Sequence, residues 1–157
     1  MNKICTTIEQ SKKLIKLGVD VNIADMTYVS MKDYGENTYH LTVGKTDVNW
    51  AKDELGNLNW NDVYEKYIPA WSLTALMNLL PSEFTTENKF GKYTYKIKIR
   101  KYNLIEDVNV YQIAYGNYKI YKDGSSSWRD MINTSEREEL LDAVFDMITW
   151  LKENEKI

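Results

Sequence analysis

The chain has 157 residues, 43% of them apolar and 27% charged, with a net charge of -3, a single histidine and a single cysteine. That length suits one domain able to bury roughly 70% of its unfolded surface, and the acidic balance gives no global reason to bind DNA, RNA or an anionic membrane. One cysteine excludes an internal disulfide and a multi-cysteine metal site, which fits a reducing, cytoplasmic setting. No secretory leader pattern and no apolar window of about 18 residues is present, so no membrane span is expected.

Thr6-Thr7-Ile8-Glu9 has the spacing of a capping box and predicts a helix from Thr7, with Ile8, Ser11, Leu14 and Ile15 inward and Gly18 closing it after Leu17. Met26 to Met31 and Thr38 to Val43 flank a turn-rich Asp33–Asn37 and read as a hairpin with Tyr39, Leu41 and Val43 inward. His40 then falls on the polar face. Residues 46–67 read as loop with short helical turns. Pro69 suits a first helical position and Pro81 a stop, which predicts an apolar helix striped by Leu73, Leu76, Met77 and Leu80.

Lys92 to Arg100 alternates strictly: Tyr93, Tyr95, Ile97 and Ile99 on one face, Lys92, Thr94, Lys96, Lys98 and Arg100 on the other. Only a strand sorts residues this way. Val108–Tyr115 and Tyr118–Lys122 flank Gly116-Asn117, a dipeptide that predicts a tight hairpin. Asp123 to Ser127 reads as the loop into the last helix, which Ser135-Glu136-Arg137-Glu138 would cap and which should end near Glu153. Leu140, Leu141, Val144, Phe145, Ile148 and Leu151 form its apolar arc, and Trp150 lies outside it. The sum is a single α+β domain over residues 1–157: a mainly antiparallel sheet of about four to five strands with N-terminal, central and C-terminal helices chiefly on one face.

No motif supplies catalysis. Cys5 or a serine nucleophile would need His40 as its base, and nothing in the spacing brings them together. Asp53, Asn57, Asn59 and Asp62 offer oxygen donors without calcium-loop spacing. Glu87-Asn88-Lys89 matches a nuclease fragment that chance alone supplies, and Asp123-Gly124-Ser125 is no phosphate loop. Neither a cofactor nor a metal is implied.

The local charge anomaly is the basic strand. Lys96, Lys98 and Arg100, with Tyr102, Lys119 and Tyr121 as companions, form the candidate binding set, suited to an acidic protein, a nucleotide or a nucleic acid. The plain alternative is the wet side of an antiparallel sheet. The reading is therefore a non-catalytic binding or accessory module, and its alternative is a small carboxylate-dependent hydrolase or nuclease drawing on Asp47 to Asp62.

The opening Cys5-Thr6-Thr7-Ile8-Glu9, the segment Ala24-Asp25-Met26, the block Ile68-Pro69-Ala70-Trp71-Ser72-Leu73 and the ending Trp150-Leu151-Lys152-Glu153-Asn154 resemble small uncharacterised proteins of gut bacteria and their phages or mobile elements. The resemblance implies a mobile-element origin and no established activity.

Overall fold

The computed structural model describes residues 3–31, 38–44, 66–89, 91–103, 108–134 and 136–157. The fold is α+β, and its strands are divided between two antiparallel sheets of three and four strands rather than gathered in one. The chain separates into two compact units, Met1–Leu76 and Met77–Ile157.

The first unit opens with helix α1, Ile8–Lys16, capped one residue later than its sequence suggests. Thr7 Oγ1 accepts from the Gln10 amide at 3.2 Å, and the Thr7 amide donates to Gln10 Oε1 at 2.9 Å. Thr6 is unavailable as a cap because its buried hydroxyl accepts from the Trp71 amide at 3.1 Å and bonds Ser11 Oγ at 2.7 Å. At the other end Gly18 takes φ 71°, while the Gly18 and Val19 amides donate to Ile15 and Leu14. That double closure needs a left-handed residue, which glycine adopts without a Cβ clash.

Strand β1, Met26–Ser30, lies between β2, Tyr39–Val43, and β3, Tyr67–Ala70. The expected first hairpin is present, with Tyr28 opposite Leu41 and Val29 opposite His40. Val43 departs from its inward assignment, at 87% exposure on the strand end. Pro69 is a strand residue opposite Thr27, not the start of a helix. An edge strand tolerates its missing N–H.

Helix α2 is accordingly short, Leu73–Met77. Its entry is fixed by side chains: Ser72 Oγ accepts from the Ala75 amide, and both the Ser72 amide and hydroxyl donate to Asp25. Cys5, Met26 and Ala70 form a buried cluster against which Tyr28 and Leu41 pack.

The second unit is a meander: β4, Glu83–Asn88; β5, Gly91–Asn103; β6, Asn109–Ile120; β7, Ser126–Asn133. Helix α3, Leu140–Glu153, packs against β6. β5 keeps the alternation read from its sequence as far as Lys98, with Tyr95 buried and Lys92, Lys96 and Lys98 exposed, but Ile99 of the expected inward face is exposed and Arg100 is half-buried. Gly116-Asn117 is not a turn: β6 continues through it, with a register shift against β7 between Tyr115 and Gly116, and the reversal into β7 falls at Lys122–Ser125, where Gly124 takes φ 81°. β7 therefore replaces the expected loop. Ile113 and Tyr115 are fully buried on the inner face, and Phe84 packs against Tyr95 and Tyr115 with ring centroids 5.5 and 4.9 Å apart.

α3 also starts later than its sequence suggests. Arg137 exchanges both backbone hydrogen bonds with Tyr111, at 2.7 and 3.0 Å, and Thr134 bonds Ile113. Those pairings hold the segment extended, so helical geometry begins only at Leu140; Ser135 lies outside the described residues.

Candidate functional site

The outer face of the four-stranded sheet is built by register. Lys96, Lys98 and Arg100 of β5 stand opposite Gly116, Ala114 and Gln112 of β6, and Gly116 and Tyr118 stand opposite Asp130 and Trp128 of β7. Directly opposed residues share a face, so these side chains form one surface. Its centre is Trp128. A Cβ at Gly116 would lie 2.2 Å from the Arg129 carbonyl oxygen and 2.9 Å from Trp128 Cε2 and Cζ2, so the missing side chain lets both the β7 backbone and the indole come close to the sheet here.

Tyr118 meets the Trp128 ring edge-on at 5.2 Å, and Lys98 Nζ sits 5.2 Å from its centroid. The indole N–H donates to Asp130 Oδ1. Arg100 grips the same carboxylate with two bonds of 2.6 Å and donates to Gln112 Oε1 at 3.1 Å. Each partner tunes the other: hydrogen bonding to Arg100 holds the Asp130 carboxyl below the usual range, and Asp130 raises the Arg100 guanidinium. A bidentate pair of this kind fixes orientation as well as charge.

One cation of the basic stripe is ion-paired and two more stand opposite carboxylates. Lys96 faces Glu83 and Lys92 faces Glu87 across the β4–β5 ladder, and Arg100 is bound to Asp130. Lys98 lies against the Trp128 ring and also helps to hold the Asp130 carboxyl down. Beyond it, Tyr118 and Ile120 are 62% and 75% exposed. The surface is thus an aromatic and aliphatic patch with charge at its margin.

The six candidate residues do not all meet. Lys96, Lys98, Arg100 and Tyr102 share the outer face, where the Tyr102 hydroxyl donates to Glu136 Oε1 at 2.6 Å. Lys119 and Tyr121 are an odd number of residues from Gly116 and point to the other face, with Lys119 Nζ 5.1 Å from the Tyr121 ring and Tyr121 bonded to Ser127. Trp128, Asp130, Tyr118 and Ile120 take their place. Trp128 and Asp130 share the outer face, whereas the register shift at Tyr115/Gly116 sets Ile132 opposite Tyr115 on the inner face, so β7 carries no unbroken two-residue period that its sequence could display.

The remaining chemistry is dispersed. Cys5 is 5% exposed, and burial pushes its thiol upward while Tyr28 OH lies 3.5 Å away. His40 is exposed on β2, and its neighbour Leu41 is the residue paired with Tyr28, so the imidazole stands on the sheet face away from that thiol contact. Among the described residues no group of three or more His, Cys, Asp or Glu is arranged to hold a metal. Asp47 to Asp62, including the candidate calcium donors, lies outside the described residues. No helix among the described residues is long and apolar enough to cross a membrane.

A concavity of about 280 Å³ lies between the end of β7 and the last turns of α3. Asn133, Arg137, Asp146, Thr149, Trp150 and Glu153 supply its polar and aromatic lining. Comparison of the chain with protein-family models, curated proteins and solved structures returned no match.

Proposed function

We propose that this protein is a non-catalytic binding module whose outer sheet face holds a partner protein. Tyr118, Ile120 and Trp128 form the anchor, and Lys98 with Arg100 set its polar margin. The observation that carries this reading is Trp128 seated over Gly116, because the sheet gives up a side chain there to keep an indole on its outer face. Large aromatic residues beside arginine are the groups that dominate protein interfaces.

The complementary surface is apolar at its centre with a few carboxylates placed to meet Lys98. A polyanion suits the face less well, since Glu83, Glu87 and Asp130 oppose three of its four cations. Fewer phosphates would then be neutralised and fewer counterions released. The resemblance noted for the Pro69-Ala70-Trp71-Ser72-Leu73 block favours an accessory role encoded by a phage or mobile element.

Capture from host lysate tests the reading, with wild type compared against Tyr118→Ser/Ile120→Ser. Both side chains are exposed, so the fold should survive their loss. The expected result is a protein retained by wild type, unaffected by nuclease and lost with the double variant. Capture that is unchanged in the variant, or abolished by nuclease, would overturn it.

A further inference from the structure

The concavity at the end of α3 is independent of the sheet face and has a chemistry of its own. Asp146, Thr149, Trp150 and Glu153 are spaced three, four and seven residues apart, which places them along one side of the helix. Opposite stand Asn133 and Arg137, and Arg137 is anchored through its backbone to Tyr111 on both sides.

Arg137 Nε donates to Asp146 Oδ2 at 2.6 Å. That single bond commits one guanidinium nitrogen and one carboxylate oxygen. Among the described residues Arg137 Nη1, Arg137 Nη2 and Asp146 Oδ1 are left for other partners, so fixed donors and a fixed acceptor sit side by side. Trp150, half-buried, supplies the aromatic wall.

Thr149 gives an independent sign of a ligand. It is only 7% exposed, lines the concavity, and its hydroxyl has no hydrogen-bond partner among the described residues. Buried hydroxyls are ordinarily bonded.

The charge pattern narrows the ligand. Asp146 balances Arg137, and the helix C-terminus adds the negative end of its dipole. A simple anion is therefore disfavoured, while a molecule carrying both signs engages every group. The volume is at the low end for small-molecule sites.

We infer that this concavity binds a small zwitterion with an aromatic or aliphatic body, the chemistry of a free α-amino acid. Its carboxylate lies on Arg137 Nη1 and Nη2, its ammonium on Asp146 Oδ1, and its side chain on Trp150. The Thr149 hydroxyl donates to the carboxylate.

The test is titration of the full chain, followed by amide NMR, with L-phenylalanine, phenethylamine, 3-phenylpropionate and a dipeptide with an internal phenylalanine carboxyl. L-phenylalanine should give saturable shifts at Thr149, Trp150 and Arg137, and the amine and the acid should bind at least about tenfold more weakly. The dipeptide separates a free amino acid from a peptide end, and it should fail to saturate. Arg137→Gln should reduce L-phenylalanine to the level of the amine, and Thr149→Val should weaken it while leaving the thermal midpoint unchanged or raised. The inference is overturned if L-phenylalanine gives no saturable shift at about 10 mM, if the amine binds as well as the amino acid, or if the dipeptide binds equally. It is overturned also if Thr149→Val, folded by its amide spectrum, binds as wild type does.

Discussion

Replacing Gly116 with alanine tests the architecture of the outer face at its tightest point. A Cβ built there lies 2.2 Å from the Arg129 carbonyl oxygen and 2.9 Å from two Trp128 ring atoms. Tilting the indole relieves the second clash. The first is with backbone, and ordinary contact at about 3.4 Å requires β7 to retreat from β6 by roughly 1 Å, which stretches the ladder from Tyr118 to Asp130. Overpacking of this kind costs about 1–3 kcal/mol. Loss of one or two ladder bonds, each worth about 1 kcal/mol, puts the total near ~3 kcal/mol. Urea unfolding followed by tryptophan fluorescence measures it, and Gly124→Ala provides the comparison. Gly124 has nothing within 4 Å of its Cβ position, so that variant carries only the left-handed backbone cost of about 1–2 kcal/mol at φ 81°. A Gly116→Ala cost below about 0.5 kcal/mol would refute the reasoning, because β7 would then not approach β6 closely enough to need a glycine there.

Thr7→Ala should cost about 1 kcal/mol through its cap, whereas Thr6→Val should cost about 2–3 kcal/mol because it leaves the buried Trp71 amide and Ser11 hydroxyl without their partner; chemical denaturation separates the two. Asp130 has its folded-state pKa depressed, chiefly by its hydrogen bonds to Arg100, so its stabilisation is present above the unfolded value near ~3.9 and is lost as pH falls through the folded value. Asp130→Asn should therefore lose less stability than wild type on acidification below about pH 4, a difference read from thermal midpoints. Cys5, buried and with its thiol pushed up by burial, should react with a disulfide reagent at least about a hundredfold more slowly in the native protein than in urea.

The sequence disclosed those elements whose signal is a repeat. The alternation along β5 from Lys92 to Lys98 and the 3.6-residue arc of α3 survive because burial on one side dictates both, and the β5 pattern gives out at Ile99, which is exposed. Local signals misled where a distant contact outbid them. Thr6 has cap spacing but serves Trp71, and Gly116-Asn117 has turn chemistry but makes room for Trp128. Pro69 has a helix-start context but joins the edge strand β3 opposite Thr27. The lysine stripe was visible at once, but its compensation was not, since Glu83 and Glu87 become its neighbours only when β4 pairs with β5. The groups lining the concavity lie on β7, on Arg137 and on α3, and no spacing announces them as one site.

The claim that the outer sheet face is a protein-binding surface is tested most directly by photo-crosslinking in the host cell. A photoreactive residue is placed at Ile120, 75% exposed beside Trp128, and, as control, at His40 on β2. The account predicts a discrete protein adduct from position 120, absent from position 40 and suppressed when Tyr118→Ser is added. Adducts that are the same at both positions, or none at position 120, would contradict it.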